Sequence, residues 1–173
     1  AFGMGEVIKR ELKVRRRSGG FTEQEMIEDF VMMLAGGGTC IADMEVLGAD
    51  GGLCRLVRRE FPSADAAGEF LYAFHDDKLI EAAKAKRKAD EKAYIPEENA
   101  ALQGLGRVSE EFVRRVVRPL DFPEATLDHD ATIQECHKRE ALPHYKGGRG
   151  FQPSAILWAE PGLALVDEYR DGN

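Results

Sequence analysis

An α+β fold is predicted: a helical amino-terminal region over residues 1–118, followed by a three-stranded antiparallel unit over residues 119–173. Three observations predict it. Apolar residues recur at helical spacing as far as Val117. Pro119 and Pro123 then stiffen the chain into an extended linker. Beyond them, apolar and polar residues alternate as on half-buried strands.

Residues 4–17 read as a basic helix, ended by Ser18-Gly19-Gly20 because glycine takes the left-handed conformation at a helix end. Thr22-Glu23-Gln24-Glu25 is a capping box: the threonine oxygen accepts from a backbone N–H and the glutamate reaches back. The helix it opens places Met26, Ile27, Phe30, Val31 and Leu34 on one inward face, and Gly36-Gly37-Gly38 ends it. No Lys-Ser or Lys-Thr follows that triple glycine, so it is not a phosphate-binding P-loop. Short helices follow at 39–47 and 51–60. Pro62-Ser63 opens another with Phe70, Leu71 and Phe74 inward. Residues 76–93 form a charged helix, and a helix over 97–117 follows Pro96, weakened internally by Gly104 and Gly106.

In the last third, residues 125–133 are the first strand candidate, 151–160 the second and 163–170 the third. Pro161-Gly162 is the turn between the last two. A loop of about 15 residues follows the first strand, and loops of that length are commonly functional.

Composition narrows the function classes. No apolar run approaches the roughly 20 residues of a membrane helix, and no apolar leader opens the chain. The three cysteines, Cys40, Cys54 and Cys136, are odd in number and widely spaced. That argues against a disulfide scaffold and predicts a cytoplasmic location. Net charge is −7, but residues 1–20 carry +4 and residues 120–173 carry −5. A basic arm before an acidic body can bind phosphate locally.

The sharpest chemical feature is Leu127-Asp128-His129-Asp130-Ala131-Thr132. Acids two apart on a strand project to one face. Two carboxylates so placed repel unless a cation lies between them or one is protonated. Such hard oxygen ligands suit Mg²⁺ or Mn²⁺. Asp128 and Asp130 are therefore the candidate catalytic and metal-binding residues. An exposed strand edge carrying protective charge is the bland alternative. Lys138, Arg139, Lys146 and Arg149 cluster near the acids in sequence, as expected where a phosphodiester backbone lies. Cys136, His137 and His144 lack the fourth ligand and regular spacing of a zinc site. Asp128-His129-Asp130-Ala131-Thr132 also fits the Asp-x-Asp-x-Thr signature of haloacid-dehalogenase-type phosphatases, with Asp128 as nucleophile and Asp130 as acid/base. That signature needs a parallel sheet, whereas the following residues read as antiparallel strands.

Several pieces occur in order: Leu127 to Thr132, His137-Lys138-Arg139, Tyr145-Lys146-Gly147, Gly150-Phe151-Gln152-Pro153, Trp158-Ala159-Glu160-x-Gly162, and Glu168 to Asn173. Together they resemble the DDE transposases of bacterial insertion sequences. Phe61-Pro62-Ser63-Ala64-Asp65 is similar too, less distinctively. The resemblance implies an RNase H-like catalytic domain starting at about residue 119, with two Asp and one Glu holding two Mg²⁺ ions. Water, and then a DNA 3′-hydroxyl, attacks phosphodiester bonds at the transposon ends. Asp130, followed by Thr132, matches the first catalytic position best, and Asp128 is second choice. The later Asp and Glu are expected beyond Asn173, so the chain is expected to be a fragment that alone neither cuts nor joins DNA. The helical region is then expected to bind transposon ends and assemble a homodimer. Its candidate phosphate contacts are Lys9, Arg10, Lys13, Arg15, Arg16 and Arg17 in the arm, and Lys84, Arg87 and Lys88 further on. A stand-alone DNA-binding or dimerisation remnant, with idle acids, is the alternative.

Overall fold

The computed structural model describes residues 3–14, 19–86, 96–138 and 141–169. They form a mixed helix-and-sheet protein with two small antiparallel sheets. Two units separate: residues 3–76 with 99–108, and residues 77–98 with 109–173. Among the described residues, no helix is long and apolar enough to cross a membrane.

The first unit is helical. Helix α1, Met4–Glu11, buries Val7 and Ile8. It stops six residues short of the expected end, because Leu12 turns to extended backbone (φ −104°, ψ 121°). Leu12 is fully buried there, so packing overrides the helical pattern. Helix α2, Glu23–Ala35, starts on the expected capping box. The Glu25 amide donates to Thr22 Oγ1 (3.2 Å), and the Thr22 amide donates to Glu25 Oε2 (2.7 Å). Its inward face differs from the expectation. Met26, Asp29 and Met33 are buried, Ile27 and Phe30 pack partly, and Val31 and Leu34 are 60% and 62% exposed.

The cause is a buried acid. Asp29 is held by the Arg59 guanidinium through two bonds, Nη1 to Oδ2 at 2.8 Å and Nη2 to Oδ1 at 2.6 Å. That pair turns the Asp29 side of α2 inward and the Val31 side outward. Burial pushes the Asp29 carboxyl up from its ordinary value, and the Arg59 guanidinium pulls the other way.

After Gly36 and the left-handed Gly37 (φ 87°) come a 3-10 turn, Ile41–Asp43, and helices α3, Met44–Ala49, and α4, Gly51–Val57. Helix α5, Ala64–Tyr72, is capped by Ser63, whose Oγ accepts from the Ala66 amide. Phe70 is buried between Phe30 (centroids 6.1 Å apart) and Phe74 (5.5 Å), whereas Leu71, expected inward, is exposed. One core joins Val7, Ile8, Leu12, Met26, Met33, Met44, Ala67, Phe70 and Val108.

Helix α7, Ala100–Val117, begins three residues later than expected, because Asn99 caps it. Its Oδ1 accepts from the Leu102 amide (2.9 Å) while its Nδ2 donates to the Phe74 carbonyl (2.8 Å). Gly104 has a packing reason the sequence hid. A Cβ there would lie 2.4 Å from the Glu11 carbonyl oxygen, so the missing side chain lets α7 lie against the chain at 11–12. Arg107 then reaches Glu11 (Nε to Oε2, 2.6 Å), and hydrogen bonds from Arg10 and Arg107 hold that carboxyl below its ordinary value.

The second unit holds helix α6, Asp77–Lys86, the second half of α7 and the sheets. The larger sheet is the expected antiparallel trio: β1, Leu127–Ala131; β5, Ser154–Trp158; and β6, Leu163–Glu168, in the order β1-β5-β6. Its last turn uses Gly162 at φ 66°. Two expectations fail. The segment after β1, expected as a loop of about 15 residues, is not all loop. It folds into a second antiparallel sheet of β2, Gln134–Glu135, β3, Leu142–Pro143, and β4, Arg149–Phe151, in the order β2-β4-β3. The candidate strand 151–160 is in fact two strands. They are separated at Gln152-Pro153, where proline has no N–H for a ladder.

Candidate metal-binding and nucleic-acid surface

Strand β1 positions the acid pair. Among the described residues it pairs with β5 alone, in the register Asp128↔Leu157, His129↔Ile156 and Asp130↔Ala155. Asp128 and Asp130 therefore share one face, and His129 takes the other. On that other face His129 Nε2 lies 2.6 Å from Ser154 Oγ, which ties β1 to β5. Both acids are exposed, as is all of β1, so the strand is not half-buried as its alternation suggested. The Thr132 hydroxyl donates to Asp130 Oδ2 (3.4 Å), and the Thr132 amide donates to the Pro153 carbonyl (3.0 Å). These bonds fix the end of the strand beside Asp130.

The pair meets Mg²⁺ or Mn²⁺ in part. Mg²⁺ commonly binds one or two carboxylates and fills its remaining positions with water and phosphate oxygens. Among the described residues, no group of three or more His, Cys, Asp or Glu is placed to hold a metal ion. Two carboxylates on an open face thus suit a cation that also leans on substrate phosphate. Cys136, His137 and His144 form no such group either. His144 is buried beside the bare α-carbon of Gly148, in the turn between β3 and β4.

The predicted phosphate contacts are scattered between the units. In the first, Lys9 lies 3.6 Å from Glu6, Arg10 bonds Glu11 at 2.6 Å, and the Lys13 ammonium donates to the Lys9 carbonyl. In the second, Lys84 pairs with Glu81 at 2.9 Å, and Lys146 sits 5.8 Å from the Tyr145 ring centroid. The Arg149 side chain donates to the Ala141 carbonyl (2.7 Å), which makes it a brace within the small sheet. Lys138 is exposed. Arg15, Arg16, Arg17, Arg87, Lys88 and Arg139 lie outside the described residues. Exposed ion pairs such as Lys9–Glu6 are worth about 0–1 kcal/mol, so a phosphate can displace the carboxylate.

No family model, curated protein or solved structure matches this chain. The site therefore rests on its own geometry.

Exposed cations that the sequence reading did not single out include Arg55, Arg58 and Arg118. Arg55 and Arg58, on and just after α4, meet no carboxylate among the described residues. Their only signal is the run Arg55-Leu56-Val57-Arg58-Arg59. Sequence alone does not say which of its arginines is spent internally; the structure gives that role to Arg59.

Proposed function

We propose that the chain is part of a DDE-type DNA transposase. In this reading the larger sheet opens an RNase H-like domain, Asp130 is the first metal-binding carboxylate, and Asp128 stands beside it. The observation that carries the reading is the exposed acid pair on the first strand of an antiparallel trio. Strand β1 also leaves one edge unpaired among the described residues, where a further acid-bearing strand has room to approach. Mg²⁺ or Mn²⁺, held by these acids together with a phosphate oxygen, supplies a polarised water and a cationic clamp when bound. The chain's own part is to position that carboxylate face and to hold the DNA backbone with Lys9, Arg10, Lys13, Lys84, Lys138 and Lys146. Such contacts fix position and carry little sequence information.

The antiparallel pairing around Asp130 counts against a haloacid-dehalogenase-type phosphatase, which needs a parallel sheet. The second reading is a DNA-binding or dimerisation module whose acids are idle. What favours it is that no third ligand joins the acid pair among the described residues.

Duplex DNA titrated at graded salt tests the proposal. The chain is expected to bind, with log affinity falling linearly in log salt. It is expected to yield no nicked product in Mg²⁺ or Mn²⁺. Absence of binding at low salt, or turnover of a chromogenic phosphate ester, defeats the DNA reading. Mg²⁺-dependent nicking that Asp130→Ala abolishes defeats the expectation that the chain is inactive alone. The same reading includes a homodimer, formed through the outer edge of β6 or through the helices. Sedimentation velocity should show association, and a strict monomer at high concentration counts against it.

A further inference from the structure

Helix α4 carries a face with no assigned role. Gly51, Gly52 and Arg55 share it by helical spacing, and Arg58 follows one turn after Arg55. All four are exposed. The Arg55 guanidinium folds back along this face, its Nη1 lying 3.7 Å from where a Cβ on Gly51 would be. Two glycines at the start leave room for the Arg55 side chain, and with Arg58 it makes the strip cationic. The carboxylate next in sequence, Asp50, is already engaged. Its Oδ1 accepts from the amides of Gly52 (2.8 Å) and Leu53 (3.0 Å).

Arg58 adds an independent observation. Among the described residues it is the one non-glycine with positive φ (59°, ψ 32°). Glycine fits that left-handed helix end without steric cost. An arginine there carries strain, and strained backbone tends to persist where a side chain has a use. The turn itself delivers Arg59 to Asp29, and glycine would serve that purpose better. The charge of Arg58 faces outward and meets no partner among the described residues. Other cations of this unit, Lys9, Arg10 and Arg59, are matched by Glu6, Glu11 and Asp29.

We propose that Arg55 and Arg58 form a phosphate-binding strip on α4 that grips the backbone of duplex DNA. The inference rests on the DNA reading above and assigns it a surface. Two exposed guanidinium groups with no carboxylate partner among the described residues suit the phosphates of a polyanion. Leu56, 79% exposed, follows Gly52 by four residues and borders this face.

The test is fluorescence anisotropy of a labelled duplex with the full chain, over roughly 50 to 300 mM salt. The variants are Arg58→Gly, the double variant Arg55→Gln with Arg58→Gly, and Leu56→Ser. Each arginine lost is expected to weaken binding roughly tenfold near 0.1 M salt and to flatten the salt slope by about 0.9. Arg58→Gly should keep a wild-type melting temperature, since glycine suits that backbone, so its binding loss cannot be laid to unfolding. If wild type binds and the arginine variants match it in affinity and slope, the strip is overturned while the DNA reading stands. If wild type does not bind, the DNA reading falls first and the strip with it. If Leu56→Ser keeps its melt yet weakens binding as much as the double variant, the loss does not follow the guanidinium charges and the proposal is overturned.

Discussion

Asp29→Ala is expected to cost the helical unit about 3 kcal/mol, the low end for breaking a buried pair, because it leaves the Arg59 guanidinium with Glu25 and Glu28 at 4.0 Å and the Glu60 carbonyl at 3.3 Å in place of its buried partner. The carboxylate is fully buried and accepts both guanidinium bonds, with no water-exposed surface to soften the loss. Domains are stable by only about 5–15 kcal/mol, so this single change uses a large share. Arg59 also sits over the Phe61 ring, 5.5 Å from its centroid, so the stranded group disturbs the entry to α5 as well. Urea unfolding followed by far-ultraviolet circular dichroism measures the loss. A second substitution, Arg59→Met in the Asp29→Ala background, should restore much of it, since replacing both partners by apolar groups is commonly near neutral. A loss under about 1 kcal/mol for Asp29→Ala would show that the pair is not buried as described.

The sign of the pH effect is distinctive. Burial raises the Asp29 carboxyl above its ordinary value. The folded state therefore holds that proton more tightly than the unfolded chain does, and this contribution to stability is present at low pH and lost as pH rises through the folded value. Asp29 does not produce acid lability. Among the described residues, lability on the acid side belongs to Glu11, Asp43 and Glu160, whose folded values are lowered, by Arg10 and Arg107, by the Thr39 and Cys40 amides, and by Thr126 respectively. Their stabilisation holds above the ordinary carboxylate range and fades as pH falls through the folded values.

Leu12→Ala is the second large effect, about 2–5 kcal/mol, from lost burial plus a cavity. Leu12 is fully buried although its backbone is extended, and it lies beside Gly104, where α7 crosses the chain. The surrounding side chains are held from α1, α2, α3, α5 and α7, so the site cannot collapse by moving one helix. Leu34→Ala is the matched control. Leu34 is 62% exposed, and its truncation should change stability by no more than about 0.5 kcal/mol. Equal losses at Leu12 and Leu34 would return Leu34 to the core and reverse the orientation of α2.

The comparison of Leu12 with Leu34 also shows where sequence reading reaches its limit. The Thr22 and Glu25 box, the glycine stop at Gly36 and the Pro161-Gly162 turn are local signals, set by hydrogen bonds between near neighbours, and the structure keeps all three. The inward face of α2 is not local. It depends on Arg59, thirty residues away, burying an acid that a count of apolar side chains places outside. The small sheet left no trace because β2 and β3 are two residues each, too short for any period. Gly104 looked like a flaw because the carbonyl it accommodates, at Glu11, is distant in sequence. In the candidate site the shared face of Asp128 and Asp130 was legible, since a strand alternates with period two. Its exposure was not, since that depends on what covers the sheet. Nor was the contrast between Arg59, spent internally, and Arg55 and Arg58, left outward.

The sheet that bears the acids also carries an uneven entropic cost. Strands β5 and β6 are joined by the short turn 159–162, and hairpins of that kind close in about 1–10 μs. Strand β1 must reach β5 across residues 132–153, and the chain entropy lost on closure grows with the logarithm of that span. In the folded protein that span carries the sheet of β2, β4 and β3, and the Thr132 amide donates to the Pro153 carbonyl (3.0 Å), which holds the two ends of the span together. A small sheet that forms ahead of this pairing shortens the effective loop for the strand that presents Asp128 and Asp130. Without it, those carboxylates would ride on the most weakly tethered segment of the sheet.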